Sequence, residues 1–109
     1  MLMADLQEVL KGIEQRLAER PEKLSAAQGT YQLDLTGEGG GTYTMVIVGD
    51  KGEVRIGPAE NPGVVVTMTA HDFVDMATGK LNGMTAFMSG RLKIKGDMGL
   101  ALKMQTLLS

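Results

Sequence analysis

Residues 79–108 read GKLNGMTAFMSGRLKIKGDMGLALKMQTLL, and this stretch decides how the rest of the chain is interpreted. A short Met- and Phe-rich segment, a small alternating strand and a long apolar helix follow one another in it with almost no linker. The helix over 98–108 carries apolar residues around far more than the roughly 100-degree stripe of an ordinary surface helix. One face can rest on a sheet, so something else must cover the remainder. A self-associating surface, a membrane and an internal ligand are the candidates.

The residues before this last helix predict a short helix and a strand. Asn82 is suited to cap the short helix, in which Met84, Phe87 and Met88 have the spacing of one face. Residues 91–95 then alternate basic and apolar side chains, as in a strand with one buried side. The basic side is interpreted as a guard against edge pairing, with a patch for anionic head groups as the less favoured alternative.

The upstream part of the chain predicts an amphipathic helix and a sheet. Residues 4–20 carry apolar side chains at helical spacing, and Pro21 ends that helix. Two alternating segments flank the Gly-rich residues 37–41, and a second turn at 49–52 leads into a third strand, which predicts an antiparallel meander. The continuous apolar run VVVTM at 64–68 predicts a strand that is buried on both faces.

Length and composition limit the function classes. The 109 residues predict one domain over 1–109, and a net charge of −2 gives no basic excess, so nucleic acid is not an expected partner. There are no cysteines, which removes disulfides and thiolate metal sites. No secretory signal pattern and no apolar run near the roughly 18 residues of a membrane span are present, which predicts a cytoplasmic protein. The nine methionines suit irregular apolar surfaces.

The sequence predicts no catalytic residues. The one histidine, His71, falls in the first turn of a helix that Thr69 and Asp72 are expected to cap, so we expect it to be exposed. None of the serines has a nucleophile-elbow context. Within the apolar stretch the one acidic residue is Asp97, which is expected to cap the last helix. We therefore expect a protein that is not an enzyme and has no metal site and no cofactor.

The segment VTMTAHDFVDMATGKLNGMTAFMSGRLKIKGDMGLALKMQTL, residues 66–107, resembles the type-2 sterol carrier protein family, also called non-specific lipid-transfer proteins. The resemblance is densest at the turn 78–80, the Ala86-Phe87 pair, the strand at 92–94 with Gly96, and the helix at 98–105. It implies an α+β fold, with a five-stranded, mainly antiparallel sheet, helices covering one face and an apolar tunnel between the layers. Such a tunnel accepts fatty acids, fatty acyl-CoA, phospholipids or sterols, and the last helix helps to close it.

The chain departs from the family pattern at two positions in this segment. Gly83 stands where the family often has Pro, and Ser89 stands where Gln is common, with a shorter side chain that reaches less far toward a head group. The ending TLLS does not match the peroxisomal Ser-Lys-Leu tripeptide of many eukaryotic members. The resemblance therefore favours a prokaryotic single-domain member, for which a sterol is not the expected ligand.

Together these observations predict an intracellular lipid-binding or transfer protein that holds a fatty acid, a fatty acyl-CoA or a phospholipid acyl chain. The expected partner is a small-molecule lipid, with at most transient membrane contact, and the expected state is a monomer or weak dimer. The alternative is an interaction or dimerisation module that uses the apolar C-terminal helix without a lipid ligand. The predicted lining is apolar and consists of Phe73, Met76, Met84, Phe87, Met88, Leu100, Met104, Leu107 and Leu108, and the weaker polar candidates at the mouth are Ser89, Lys103 and Gln105. For each lining residue the competing interpretation is a dry core.

Overall fold

A computed structural model describes residues 6–108, with Leu108 described without its side chain. It confirms the α+β class. The elements are α1 (Leu6–Ala18), α2 (Pro21–Leu24), β1 (Gly29–Thr36), β2 (Gly41–Val48), β3 (Lys51–Ile56), β4 (Val64–Thr69), α3 (Ala70–Ala77), α4 (Gly83–Met88), β5 (Lys93–Gly96) and α5 (Met98–Leu108). The predicted start of the first helix, at residues 4 and 5, lies outside the described residues.

The five strands form one mixed sheet in the order β3-β2-β1-β4-β5. The meander predicted for the first three strands is confirmed, because β2 pairs antiparallel with both β1 and β3. β4 lies beside β1 in the parallel direction, with Tyr31 opposite Val64, and β5 closes that edge antiparallel to β4. The connection at 57–63 therefore carries the chain from one edge of the sheet to the far side of β1.

The helices cover one face of the sheet. On β1 the side chains of Tyr31, Leu33 and Leu35 are buried while those between them are half-buried, as period-2 alternation requires. α1 buries its apolar stripe in the same layer, at Leu6, Val9, Leu10, Ile13 and Leu17. The core thus lies between this sheet face and the helices.

The strand predicted at 64–68 is present, but the prediction that both of its faces are buried is wrong. Val64, Val66 and Met68 are buried, whereas Val65 and Thr67 are half-buried. The physical reason is that the helices pack on one side of the sheet. A continuous apolar run therefore does not distinguish a two-sided from a one-sided strand.

Three predicted helix caps are confirmed by short hydrogen bonds. The backbone N–H of Asp72 donates to Oγ1 of Thr69 at 3.0 Å, and that of Met84 donates to Oδ1 of Asn82 at 2.8 Å. The third cap is Asp97, whose Oδ1 accepts from the N–H of Gly99 at 2.7 Å. Each cap fixes the start of a helix in the 69–108 segment.

β5 begins at Lys93 and not at Arg91. The N–H groups of Arg91 and Leu92 donate to the carbonyl of Ala86, at 2.9 and 3.1 Å, so they close the end of α4 and do not join the sheet. Along the described part of the chain, no helix combines the length and apolarity needed to cross a bilayer.

Candidate ligand-binding site

An apolar cavity of about 240 Å³ lies between α4, α5 and the β4–β5 edge of the sheet. We call it the apolar cavity. Its lining residues come from α3, α4, α5, the two strands and the residue just before β5. With the exception of one glutamine and one glycine, all carry apolar side chains. They are Val66, Met76, Gly83, Met84, Phe87, Leu92, Ile94, Met98, Ala101, Leu102, Met104 and Gln105.

Four of these side chains line the cavity and also reach solvent. Met84 and Phe87 come from α4, at i and i+3, and Met98 and Leu102 come from α5, at i and i+4. Their exposed fractions lie between 40% and 53%, which is high for large apolar residues. We call this set the rim, since it surrounds the side of the cavity that is open to solvent.

The floor of the cavity is continuous with the core. Val66 of β4 is fully buried, and Met104 of α5 is 2% exposed. The N–H bonds from residues 91 and 92 to Ala86 hold α4 against the start of β5, so that Leu92 and Ile94 face the cavity. The site is thus built from two short elements, α4 and β5, and one face of α5.

The structure brings together five of the residues predicted at the site, namely Met76, Met84, Phe87, Met104 and Gln105. The other predicted lining residues have different positions. Phe73 and Leu107 are buried in the core, Met88 is 79% exposed, and Leu100 packs against Gly29 and Gly63 on the far side of α5. The side chain of Leu108 lies outside the described residues. A ligand role for these residues stays a prediction.

The two remaining polar candidates lie away from the apolar cavity. The exposed Ser89 uses its hydroxyl to donate to the carbonyl of Ala86 at 3.2 Å. Lys103 borders a separate small groove, together with Lys23 and Leu107. Gln105 is therefore the polar candidate that contacts the cavity.

Sequence reasoning missed seven of the described lining residues, which are Val66, Gly83, Leu92, Ile94, Met98, Ala101 and Leu102. A signal was present for two of them, because the alternation in 91–95 puts Leu92 and Ile94 on one side of the strand. For the residues of α5 no such signal exists, since a helix that is apolar all round does not reveal which side faces a cavity.

A second concavity, of about 430 Å³, adjoins the apolar cavity. We call it the polar groove, since charged and polar side chains border it, although most of its lining surface is apolar. It is bordered by Arg16 of α1 and by the segment from Ala77 to Asn82, apart from Lys80, and it shares Met76, Gly83 and Gln105 with the cavity. Nη2 of Arg16 donates to the carbonyl of Ala77 at 3.3 Å, which joins α1 to the end of α3 beside the groove.

An ion pair between a half-exposed guanidinium and a largely buried carboxylate fixes the opposite end of α3. Asp72 accepts from Nη2 and Nε of Arg91 at 2.6 and 3.2 Å, and its carboxylate is largely buried. The hydrogen bonds from Arg91 lower the pKa of Asp72 below its ordinary value, against the opposing effect of burial. The pair ties the residues that follow α4 to the first turn of α3, and so helps to position one wall of the cavity.

His71 is exposed, as predicted. Its Nδ1 lies 3.8 Å from a carboxylate oxygen of Asp72 and 3.6 Å from one of Asp75, so these three residues are close enough together to hold a metal ion. Exposed acidic groups of this kind are common without an ion, and the cluster lies outside the cavity lining.

The arrangement suits an apolar ligand. Among the described residues that line the apolar cavity, none has a titratable side chain. Burial of apolar ligand surface is the main interaction that such a lining offers, with the Gln105 amide as the polar group.

The family model for the SCP-2 sterol transfer family matches residues 10–109. Among curated proteins, hydroxysteroid dehydrogenase-like protein 2 of Xenopus laevis is 46% identical over 104 residues, which is 94% of this chain and 24% of that protein. The human protein of the same name is 45% identical over 87 residues, or 79% of this chain and 21% of that protein. The chain thus spans about a quarter or less of the length of these relatives.

Solved structures show the same fold. The sterol carrier protein domain 2 of Helicoverpa armigera superposes with a TM-score of 0.78 at 32% identity, over 91% of this chain and 81% of that one. The apo form of sterol carrier protein 2 from Yarrowia lipolytica superposes with a TM-score of 0.74 at 21% identity, over 98% of this chain and 93% of that one. Palmitated SCP2L2 from Aedes aegypti superposes with a TM-score of 0.78 at 21% identity, over 96% of this chain and 95% of that one. The chain therefore belongs to the SCP-2 sterol transfer family, whose shared domain is a lipid-transfer fold and not a catalytic one.

Proposed function

We propose that this protein carries one acyl lipid, namely a fatty acid, a fatty acyl-CoA or a phospholipid, with an acyl chain in the apolar cavity. The observation that carries the proposal is the rim, where four large apolar side chains line the cavity and also stand half-exposed at its opening. Large apolar side chains at a solvent boundary are stabilised when an apolar partner covers them.

The size of the cavity bears on how a ligand fits. At about 240 Å³ it is smaller than the roughly 300–1,000 Å³ typical of ligand pockets, so a long acyl chain requires it to widen. Three of the lining residues on α4 and α5 are methionines, Met84, Met98 and Met104, whose unbranched side chains adapt to irregular partners. Movement of the rim disturbs the core little, because the rim side chains are already half-exposed.

Burial of the acyl chain supplies enough binding free energy for a carrier of acyl lipids. Each buried methylene group contributes about 0.8 kcal/mol, so a chain of about sixteen carbons offers on the order of 10 kcal/mol before the costs of ordering and association. Such binding is weakly directional, and selectivity must come from cavity length and from few polar groups. The palmitated relative from Aedes aegypti supports an acyl ligand for this fold.

A second candidate function is docking of the apolar side of α5 on a partner or a second copy, without a lipid. The observation that favours it is the exposure of Met98 and Leu102, which are 46% and 53% exposed on that helix. Sedimentation of lipid-free protein over a wide concentration range tests self-association. A monomer at every concentration would exclude docking between copies.

Organic extraction of the natively purified protein, followed by mass spectrometry, tests the carrier function, together with displacement of a fluorescent fatty acid by palmitate. We expect near-stoichiometric acyl lipid or, in delipidated protein, saturable displacement. A Leu102→Gln variant should weaken palmitate binding about tenfold, because a polar group then lies at the rim. The matched control is Val48→Gln, since Val48 is also exposed but lies on β2 and outside the cavity lining. Neither lipid nor displacement, or equal loss in both variants, would overturn the proposal.

A further inference from the structure

Gln105 lies between the apolar cavity and the polar groove. It is half-buried on α5 and lines both, together with Met76 and Gly83. The other described α5 residues of the lining, which are Met98, Ala101, Leu102 and Met104, line the cavity alone. The groove, with about 430 Å³ against about 240 Å³ for the cavity, is the larger of the two.

The position of the Gln105 side chain depends on Gly83 at the start of α4. A Cβ atom at position 83 would lie 3.0 Å from Cδ and 3.2 Å from Cγ of Gln105, which is closer than ordinary van der Waals contact. Gly83 is not among the glycines with positive φ, so its backbone does not require glycine. The missing side chain at Gly83 therefore leaves room for Gln105 between α4 and α5.

We propose that the side chain of Gln105 is a partition that sets the length of acyl chain the protein accepts. The inference rests on the proposed lipid-binding function. With Gln105 in place, the apolar cavity ends at the partition, so that only part of a long acyl chain such as palmitate is buried in it. When the side chain is removed, the cavity and the groove form one tract, and longer chains gain additional buried methylene groups. The bulk of the side chain makes the division, since its position is set by packing against Gly83.

The test compares the affinities of octanoate, laurate and palmitate for the delipidated full chain, measured by displacement of a fluorescent fatty acid. Each additional buried methylene raises affinity by about fourfold. In Gln105→Ala, burial of two or three more methylenes should raise the palmitate-to-octanoate affinity ratio by at least about tenfold. Gln105→Leu, which keeps a side chain of similar bulk, should leave that ratio within about threefold of the unsubstituted protein.

Thr106→Ala is the matched control, because Thr106 is the neighbouring residue on α5 and lines neither the apolar cavity nor the polar groove. Its affinity ratio should not change. A ratio in Gln105→Ala equal to that of the control, with binding retained, would overturn the partition and leave the carrier function intact. A shift in Gln105→Leu as large as that in Gln105→Ala would also overturn it. If the unsubstituted protein binds none of the three fatty acids, the carrier function itself is overturned, and the partition with it.

Discussion

The helices that rest on one face of the sheet differ in how completely their apolar residues are buried. α1 buries its whole apolar stripe, from Leu6 to Leu17, with no side chain of that stripe more than 8% exposed. Among the described side chains of α4 and α5, five large apolar ones are exposed, namely Met84, Phe87, Met88, Met98 and Leu102. The same sheet therefore has a closed half under α1 and an open half at the β4–β5 edge.

The difference separates apolar residues that stabilise the fold from those available to a ligand. In the closed half each side chain is packed, so its removal leaves a void. In the open half the rim borders a cavity that already exists, so removing a rim side chain loses less packing. We infer that the stability of this protein resides mainly under α1 and its binding capacity at the rim.

The largest effect should come from Leu17→Ala in the closed half. Leu17 is 1% exposed and packs over Gly52 of β3. Loss of its side chain leaves a cavity, and we expect the free energy of unfolding to fall by about 3 kcal/mol in urea titrations. The affinity for palmitate in the remaining folded protein should be unchanged. Loss of palmitate affinity in that protein would contradict the separation of the two halves.

The second effect concerns the ion pair between Asp72 of α3 and Arg91, which follows α4. Asp72→Asn removes a largely buried carboxylate that accepts two hydrogen bonds, so we expect a loss of about 2 kcal/mol at neutral pH. Because Arg91 lowers the pKa of Asp72 from 3.8, the pair stabilises the fold above that pH and loses its effect as the pH falls through the lowered pKa.

Urea titrations at pH 7 and at a series of values below pH 4 measure this effect. The difference in stability between the unsubstituted protein and Asp72→Asn should shrink over that range. Asp50→Asn, in the exposed β2–β3 turn, is the control and should show no such difference. A difference that stays constant down to the lowest pH would mean that the Asp72 carboxylate does not act through its charge.

A smaller effect on stability is expected for Leu102→Ala, the same substitution as Leu17→Ala but at the rim. Because Leu102 is 53% exposed, the cost should be about 1 kcal/mol or less. Palmitate affinity should nevertheless fall severalfold, since an apolar contact is lost. Equal stability losses at Leu17 and Leu102 would show that the open half is an ordinary core.

The smallest effect is the coupling between Gly83 and Gln105. Gly83→Ala places a methyl group against the Gln105 side chain. We expect this substitution to lower the free energy of unfolding by about 0.5 kcal/mol less in Gln105→Ala than in the unsubstituted protein, because the crowded side chain is then absent. A double-mutant cycle in urea measures this coupling. Strict additivity would mean that Gln105 does not occupy the space beside Gly83.

Much of the fold could be predicted from the sequence, because alternation along β1 and the caps at Thr69, Asn82 and Asp97 act locally. The one-sided burial of β4 could not, since it depends on which sheet face the helices cover. The site was predicted in part. Met84 and Phe87 share a helix face that the sequence spacing predicts. In α5, Leu100 faces Gly29 whereas Leu102 lies at the rim. Which of these two residues faces the cavity depends on how the helix is rotated on the sheet.

The central claim, that the apolar cavity and not the closed core takes up the acyl chain, is tested most directly by methionine-methyl NMR. Protein labelled at the methionine methyl groups is titrated with palmitate. We predict that the signals of Met76, Met84, Met98 and Met104, which line the cavity, shift and saturate together. The signals of the buried core residues Met45 and Met68 should stay in place. Shifts confined to the exposed Met88, or no shifts at all, would contradict the account.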